Sequence, residues 1–184
     1  MLKLFVNYLI KQSSLKKVIL GIIIILIFNI ILFPFFPKLF HVASFPTSWI
    51  LDLRFSYTSD ILYTIFDNLG IEGRKVYQLS EIFVDFPYAV FYGFVYSFMI
   101  VLLLKKTNLT TNSYLILIPF GISFFDILEN IGLVSLLYSY PKKLTYLVNI
   151  TSLTTSCKWI FAILTVIIAI YLISKQKRGK NKPK

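Results

Sequence analysis

Four apolar stretches dominate the chain, each long enough to cross a hydrocarbon core about 30 Å thick, which takes about 20 helical residues. They cover residues 18–36, 82–104, 114–138 and 154–173, the last with a possible start near Leu144. The runs are rich in β-branched residues. In lipid, however, a backbone must satisfy its own hydrogen bonds, so helix is expected over strand. The apolar run at 18–36 is longer than the core of a secretory leader and has no small-residue cleavage pattern after it, so it reads as an uncleaved anchor.

Composition excludes the other classes. Of the 184 residues 57% are hydrophobic and only 15% charged. A soluble fold of this size leaves about 30% of its chain surface wet and could not hide so much apolar area. The same content excludes a disordered chain. The expected fold is all-α: a transmembrane four-helix bundle, one integral membrane domain over 1–174, followed by a basic tail at 175–184.

The net charge of +11 follows from topology. Lys3, Lys11, Lys16 and Lys17 precede the first span, Lys105 and Lys106 follow the second, and Lys175, Lys177, Arg178, Lys180, Lys182 and Lys184 follow the fourth. No acidic residue accompanies them. Lys38, Arg54, Arg74, Lys75, Lys142 and Lys143 face the other side and are offset by Asp52, Asp60, Asp67, Glu72 and Glu81. Positive charge marks the cytoplasmic side, so both termini are expected there. The tail suits contact with anionic headgroups, and no nucleic-acid partner is expected.

The segment 38–81 is the one sizeable extramembrane loop, expected outside. Ser59-Asp60 reads as a helix cap and Gly70 as a stop. Ile61, Ile65 and Leu69 then share one face of an amphipathic helix that lies on the membrane or caps the bundle. From about Glu72 a second helix is expected to run on into the 82–104 span.

Ionisable groups inside a membrane helix are costly, so they should face a bundle interior and have partners. The spans contain Asn29, Asp85, Asp126, Glu129, Asn130 and Lys158. At 1.5 Å per residue, Asn29, Asp126, Glu129 and Lys158 stand about 18–22 Å from the basic end, and Asp85 about 28 Å. Their faces agree too. Asp85, Ala89, Gly93 and Ser97 recur every four residues, and Thr151, Thr155, Lys158, Ala162, Thr165 and Ala169 follow an alternating 4-3 spacing. Pro87 removes the hydrogen bond to the Phe83 carbonyl and should kink the second span, and Pro119 is expected to do the same in the third.

Three functions stay open. The first is binding of a lipid-like or small amphipathic molecule in an acidic core open to the outer leaflet, with Asp85, Arg74, Tyr77, Asn130 and Asn29 as ligand-binding residues. The second is a lipid-modifying enzyme with Asp126, Glu129 and Lys158 as its catalytic set, since carboxyl pairs in different environments can do proton-transfer chemistry. The third is a structural subunit whose buried ions fix helix register. One lysine cannot neutralise three carboxylates, so a proton, a descending Arg74 or Lys75, or a ligand cation is needed. There is no nucleotide-binding glycine motif, and one cysteine with one histidine makes no Cys/His metal cluster, so no cofactor and no metal is expected. Cys157 reads as a packing residue and His41 as interfacial. Membrane lipids are the expected partners.

The elements Leu69-Gly-x-x-Gly73-Arg74-x-x-Tyr77, Asp85-x-Pro87 and Pro119…Asp126-x-x-Glu129-Asn130, with Lys158 in the last helix, resemble a group of uncharacterised small four-span membrane proteins. The likeness covers residues 50–165. It implies the four-span architecture and nominates these residues, and it names no reaction.

Overall fold

A computed structural model describes residues 1–43, 45–107 and 114–180 of the protein. It is a bundle of helices, with no strand among the described residues. Four helical stretches are long and apolar enough to span a membrane: Leu15–Leu39, Ser59–Lys105, Tyr114–Ser139 and Thr145–Gln176. The protein is therefore a multi-pass integral membrane protein. The helices are α1 (Leu2–Gln12), α2 (Leu15–Leu39), α3 (Ser59–Ser80), α4 (Phe86–Lys105), α5 (Ile118–Ser139) and α6 (Thr145–Lys180). Of the tail expected over 175–184, residues 181–184, with Lys182 and Lys184, lie outside the described residues.

The second and third spans form the centre. Within their apolar windows 44% of residues are buried, against 17% in the first and fourth, which present most of their surface outward. Close approach is built from small residues. A Cβ on Gly93 would collide with the Ser123 hydroxyl of α5, and one on Gly132 with the Thr151 side chain of α6. The expected small-residue stripe of α4 faces inward: Ala89 and Ser97 are fully buried.

The segment before the first span, noted in the sequence only for its lysines, forms the helix α1. Val6 and Leu9, one turn apart, pack against Ile100, Val101, Leu104, Ile116 and Leu172. The Lys105 ammonium donates to the Ile10 carbonyl and the Ser13 hydroxyl, both at 3.0 Å, and so caps the helix C-terminus with positive charge. This is the basic end of the bundle.

The opposite end is closed by a cap. The helix cap of α3 is Thr58, one residue earlier than Ser59, and it accepts from the Ile61 N–H at 3.4 Å. Gly70 breaks α3 with φ 64° and ψ −174°, a conformation open essentially to glycine alone. Before the break, Leu62, Tyr63, Ile65, Phe66 and Leu69 bury their face against Leu133, Leu136 and Leu137 of α5 and Val148 of α6. This short helix packs across the end of the bundle, with Ile65 and Leu69 of the expected face buried and Ile61 only partly so. After the break the chain continues helically into α4.

Two π turns interrupt the spans, Phe28–Leu32 within α2 and Glu81–Asp85 between α3 and α4. Each is followed by Phe-Pro. Pro87 cannot donate to Phe83, and the preceding Phe86 N–H bonds back five residues to Glu81. Pro34 follows the first π turn in the same way, with Phe33 bonding to Phe28. The kink expected at Pro87 thus takes the form of a wider turn. Pro119 makes no kink: it sits in the first turn of α5, where its missing N–H has no helical partner to lose.

Candidate functional site

The ion cluster is centred on Lys158, 7% exposed on α6. Its ammonium lies 2.5 Å from Glu129 Oε2, 2.9 Å from Asp126 Oδ1 and 3.3 Å from Asp52 Oδ1. Glu129 is fully buried, and its Oε1 accepts a hydrogen bond from the Thr155 hydroxyl at 2.7 Å. Asp126 accepts from the Tyr92 hydroxyl at 2.7 Å. Asn130 donates to Asp85 at 2.7 Å. The helix repeat brings these groups together: Asp126, Glu129 and Asn130 share one face of α5, and Thr151, Thr155 and Lys158 the facing side of α6.

Asp52 and Glu81, counted as loop charges in the sequence, belong to this cluster. Asp52 is carried in by a strap along α6. The Tyr57 N–H donates to Ser152 at 2.8 Å, Ser156 donates to the Phe55 carbonyl at 2.9 Å, and Trp159 donates to the Asp52 carbonyl at 3.2 Å. The Leu51 N–H is held by the Tyr77 hydroxyl at 3.1 Å, and Leu51 is fully buried. Burial, with the Glu129 charge beside it, holds the Tyr57 hydroxyl well above its ordinary pKa. Glu81, 2% exposed, enters on the π turn, and its Oε2 has no hydrogen-bond partner.

The cluster borders a cavity of about 520 Å³. Asp52, Glu81, Asp85, Asp126 and Lys158 line it together with Phe33, Tyr88, Tyr96, Ile122, Trp159 and Ala162. The walls come from the first, second, third and fourth spans together with the 45–53 segment. A shallower hollow of about 380 Å³ lies beside Trp49, Arg54 and Asn68 on the cap and holds no buried ionisable group.

Of the residues nominated from sequence, Asn29, Tyr77, Asp85, Asp126 and Lys158 line the cavity. Asn29 stands at an exposed edge and donates to Tyr88 at 2.8 Å. Glu129 and Asn130 are absent from the lining and contact it through Lys158 and Asp85. Arg74 does not descend to the cluster. It donates to the Phe66 carbonyl at 2.7 Å and lies over the Tyr140 ring, 4.1 Å from its centroid. Lys75 is exposed. Among the described residues, every ion pair of the cluster goes to Lys158. Two sets of carboxylates, Asp52/Glu81/Asp85 and Asp52/Asp126/Glu129, hold an oxygen from each member within 4.8 Å of the others, a spacing compatible with a shared cation.

No protein-family model matches the chain, and neither the curated proteins nor the solved structures contain a significant match to it.

Proposed function

We propose that the protein binds a lipid-like or small amphipathic molecule in this chamber, with the polar part of the ligand at the carboxylates and its apolar part along the aromatic wall. The observation that carries this reading is one cavity of about 520 Å³ lined both by buried ionic groups and by aromatic and aliphatic side chains. Ligand pockets are commonly 300–1,000 Å³, mostly apolar, with a few convergent polar groups. By the distribution of basic residues both termini face the cytoplasm, so the capped end and the chamber face the outer leaflet. Membrane lipids are the source of the ligand, and the tail rests on anionic headgroups. The four-span group resembled by the Gly73-Arg74, Asp85-x-Pro87 and Glu129-Asn130 elements would share the chamber.

Native mass spectrometry of the purified protein tests this. A retained small molecule, lost from Asp85→Asn and Asp126→Asn variants that keep wild-type helicity, supports it. A bare wild-type mass after gentle extraction contradicts it.

One observation favours a second reading. The Tyr92 hydroxyl, Asp126 and Lys158 form a hydrogen-bonded chain at the cavity wall, a geometry suited to proton transfer. In that case the molecule is turned over, and Asp126→Asn retains it while abolishing the conversion.

A further inference from the structure

Charge in the chamber is one-sided. Asp52, Glu81, Asp85 and Asp126 line it, Glu129 stands behind Lys158, and the three ion pairs of this set all go to that one ammonium. Lys158 is committed to the Asp126 and Glu129 side, at 2.9 and 2.5 Å, and reaches only Asp52 of the other set. Glu81 and Asp85 have no ion-paired lysine or arginine among the described residues. Their oxygens nonetheless lie within 4.8 Å of each other and of Asp52. Independently, Glu81 Oε2 is buried without a hydrogen-bond partner on a side chain that lines the cavity. An unsatisfied buried carboxylate oxygen is expensive, and a partner supplied by a ligand would remove the penalty.

The wall beside these groups is aromatic. Phe45 and Tyr77 have ring centroids 5.6 Å apart, and Tyr88 and Tyr92 pack edge to face at 5.2 Å. All four line the cavity. Aromatic faces next to carboxylates are the combination that attracts an organic ammonium. A bare metal ion would satisfy the oxygens and leave most of the 520 Å³ unfilled.

We infer that the ligand is a cationic amphiphile, a protonated amine or quaternary ammonium on an apolar chain, with its head among Asp52, Glu81 and Asp85. This rests on the amphiphile-binding reading and specifies its head group.

The test compares heads on one tail. Purified full-length protein in a nonionic maltoside detergent is titrated with decyltrimethylammonium, decanol and decyl sulfate, with the thermal unfolding midpoint as readout. A saturable rise with the ammonium is expected, at a concentration at least tenfold below that needed for the other two. Glu81→Gln should weaken the ammonium at least tenfold and change decanol by less than threefold. Equal binding of ammonium and alcohol overturns the inference and leaves the amphiphile reading standing. Binding of none of the three counts against both. A rise produced by calcium or magnesium chloride alone, and lost in Glu81→Gln, overturns it in favour of a metal site. The comparison of heads on the wild-type protein decides the matter even if the variant fails to fold.

Discussion

Lys158 shows what burying a charge in this bundle requires. Its ammonium has left water and lipid alike, and three carboxylate oxygens within 3.3 Å replace the lost hydration. Each partner is held by something else: Glu129 by Thr155, Asp126 by Tyr92, Asp52 by its own backbone on Trp159. A buried pair of this kind adds little against an apolar substitute of the same shape, but removing one member is costly. Lys158→Met should therefore destabilise the protein by about 3–5 kcal/mol, because Asp126 and Glu129 are left buried without a cation. Reversible unfolding in mixed detergent measures this. An unchanged or more stable variant would show that the lysine is a register device alone. The remaining acids raise the opposite question. Two unit charges 4 Å apart interact by about 4 kcal/mol at an effective dielectric constant of 20, so further like charges in one chamber need protons or a bound cation to offset them.

At the level of elements, irregularities position the site. The break at Gly70 turns the cap helix across the bundle end and lets the following helix enter the membrane. Gly70→Ala meets no steric neighbour, so its cost is conformational, about 1–3 kcal/mol. Lower thermal stability, with faster protease cleavage near residue 70, is the expected result; an unchanged midpoint would mean the break is not required. The two π turns shift the helical phase where Asn29, Glu81 and Asp85 sit, and so turn those residues toward the chamber. Much of this was legible in the sequence. Spans are local averages of hydropathy, and the inward faces of α4, α5 and α6 follow from a 3.6-residue repeat acting on scarce polar residues. The Gly70 stop follows from one local pattern. What was not legible depends on tertiary contact. Asp52 lies in an apolar run, Trp49-Ile-Leu-Asp-Leu53, which was a signal, but only the strap onto α6 shows why it is buried. Glu81 stands at the border of loop and span, where one turn of helix decides its side. In α1 only Val6 and Leu9 are buried, and they stand among other apolar residues, Leu2, Leu4, Phe5 and Ile10, so the segment alone does not mark the face that packs.

For the whole molecule, burial and charge divide the bundle along its axis. The ionic groups gather towards the cap, and α1 with its lysine cap closes the other end. Cys157 is the only cysteine, so a Cys157→Ser background permits single cysteines to be placed at will. Gln12→Cys and Gln176→Cys should be labelled by an impermeant maleimide only after the cells are opened, and Asp60→Cys in intact cells. The reverse pattern would put the chamber on the cytoplasmic side. The chamber itself can be probed through tryptophan, since Trp159 lines it and Trp49, on the cap, is the only other. In a Trp49→Phe protein, fluorescence of Trp159 is titrated with a decyl amphiphile brominated along its chain, then chased with the unbrominated compound. Saturable quenching, reversed by the competitor and weakened by Asp85→Asn, is the outcome that places an amphiphile's tail in the chamber. Quenching that rises linearly with bromine in the micelle and ignores the competitor would mean that Trp159 meets only bulk surfactant and that the chamber binds nothing.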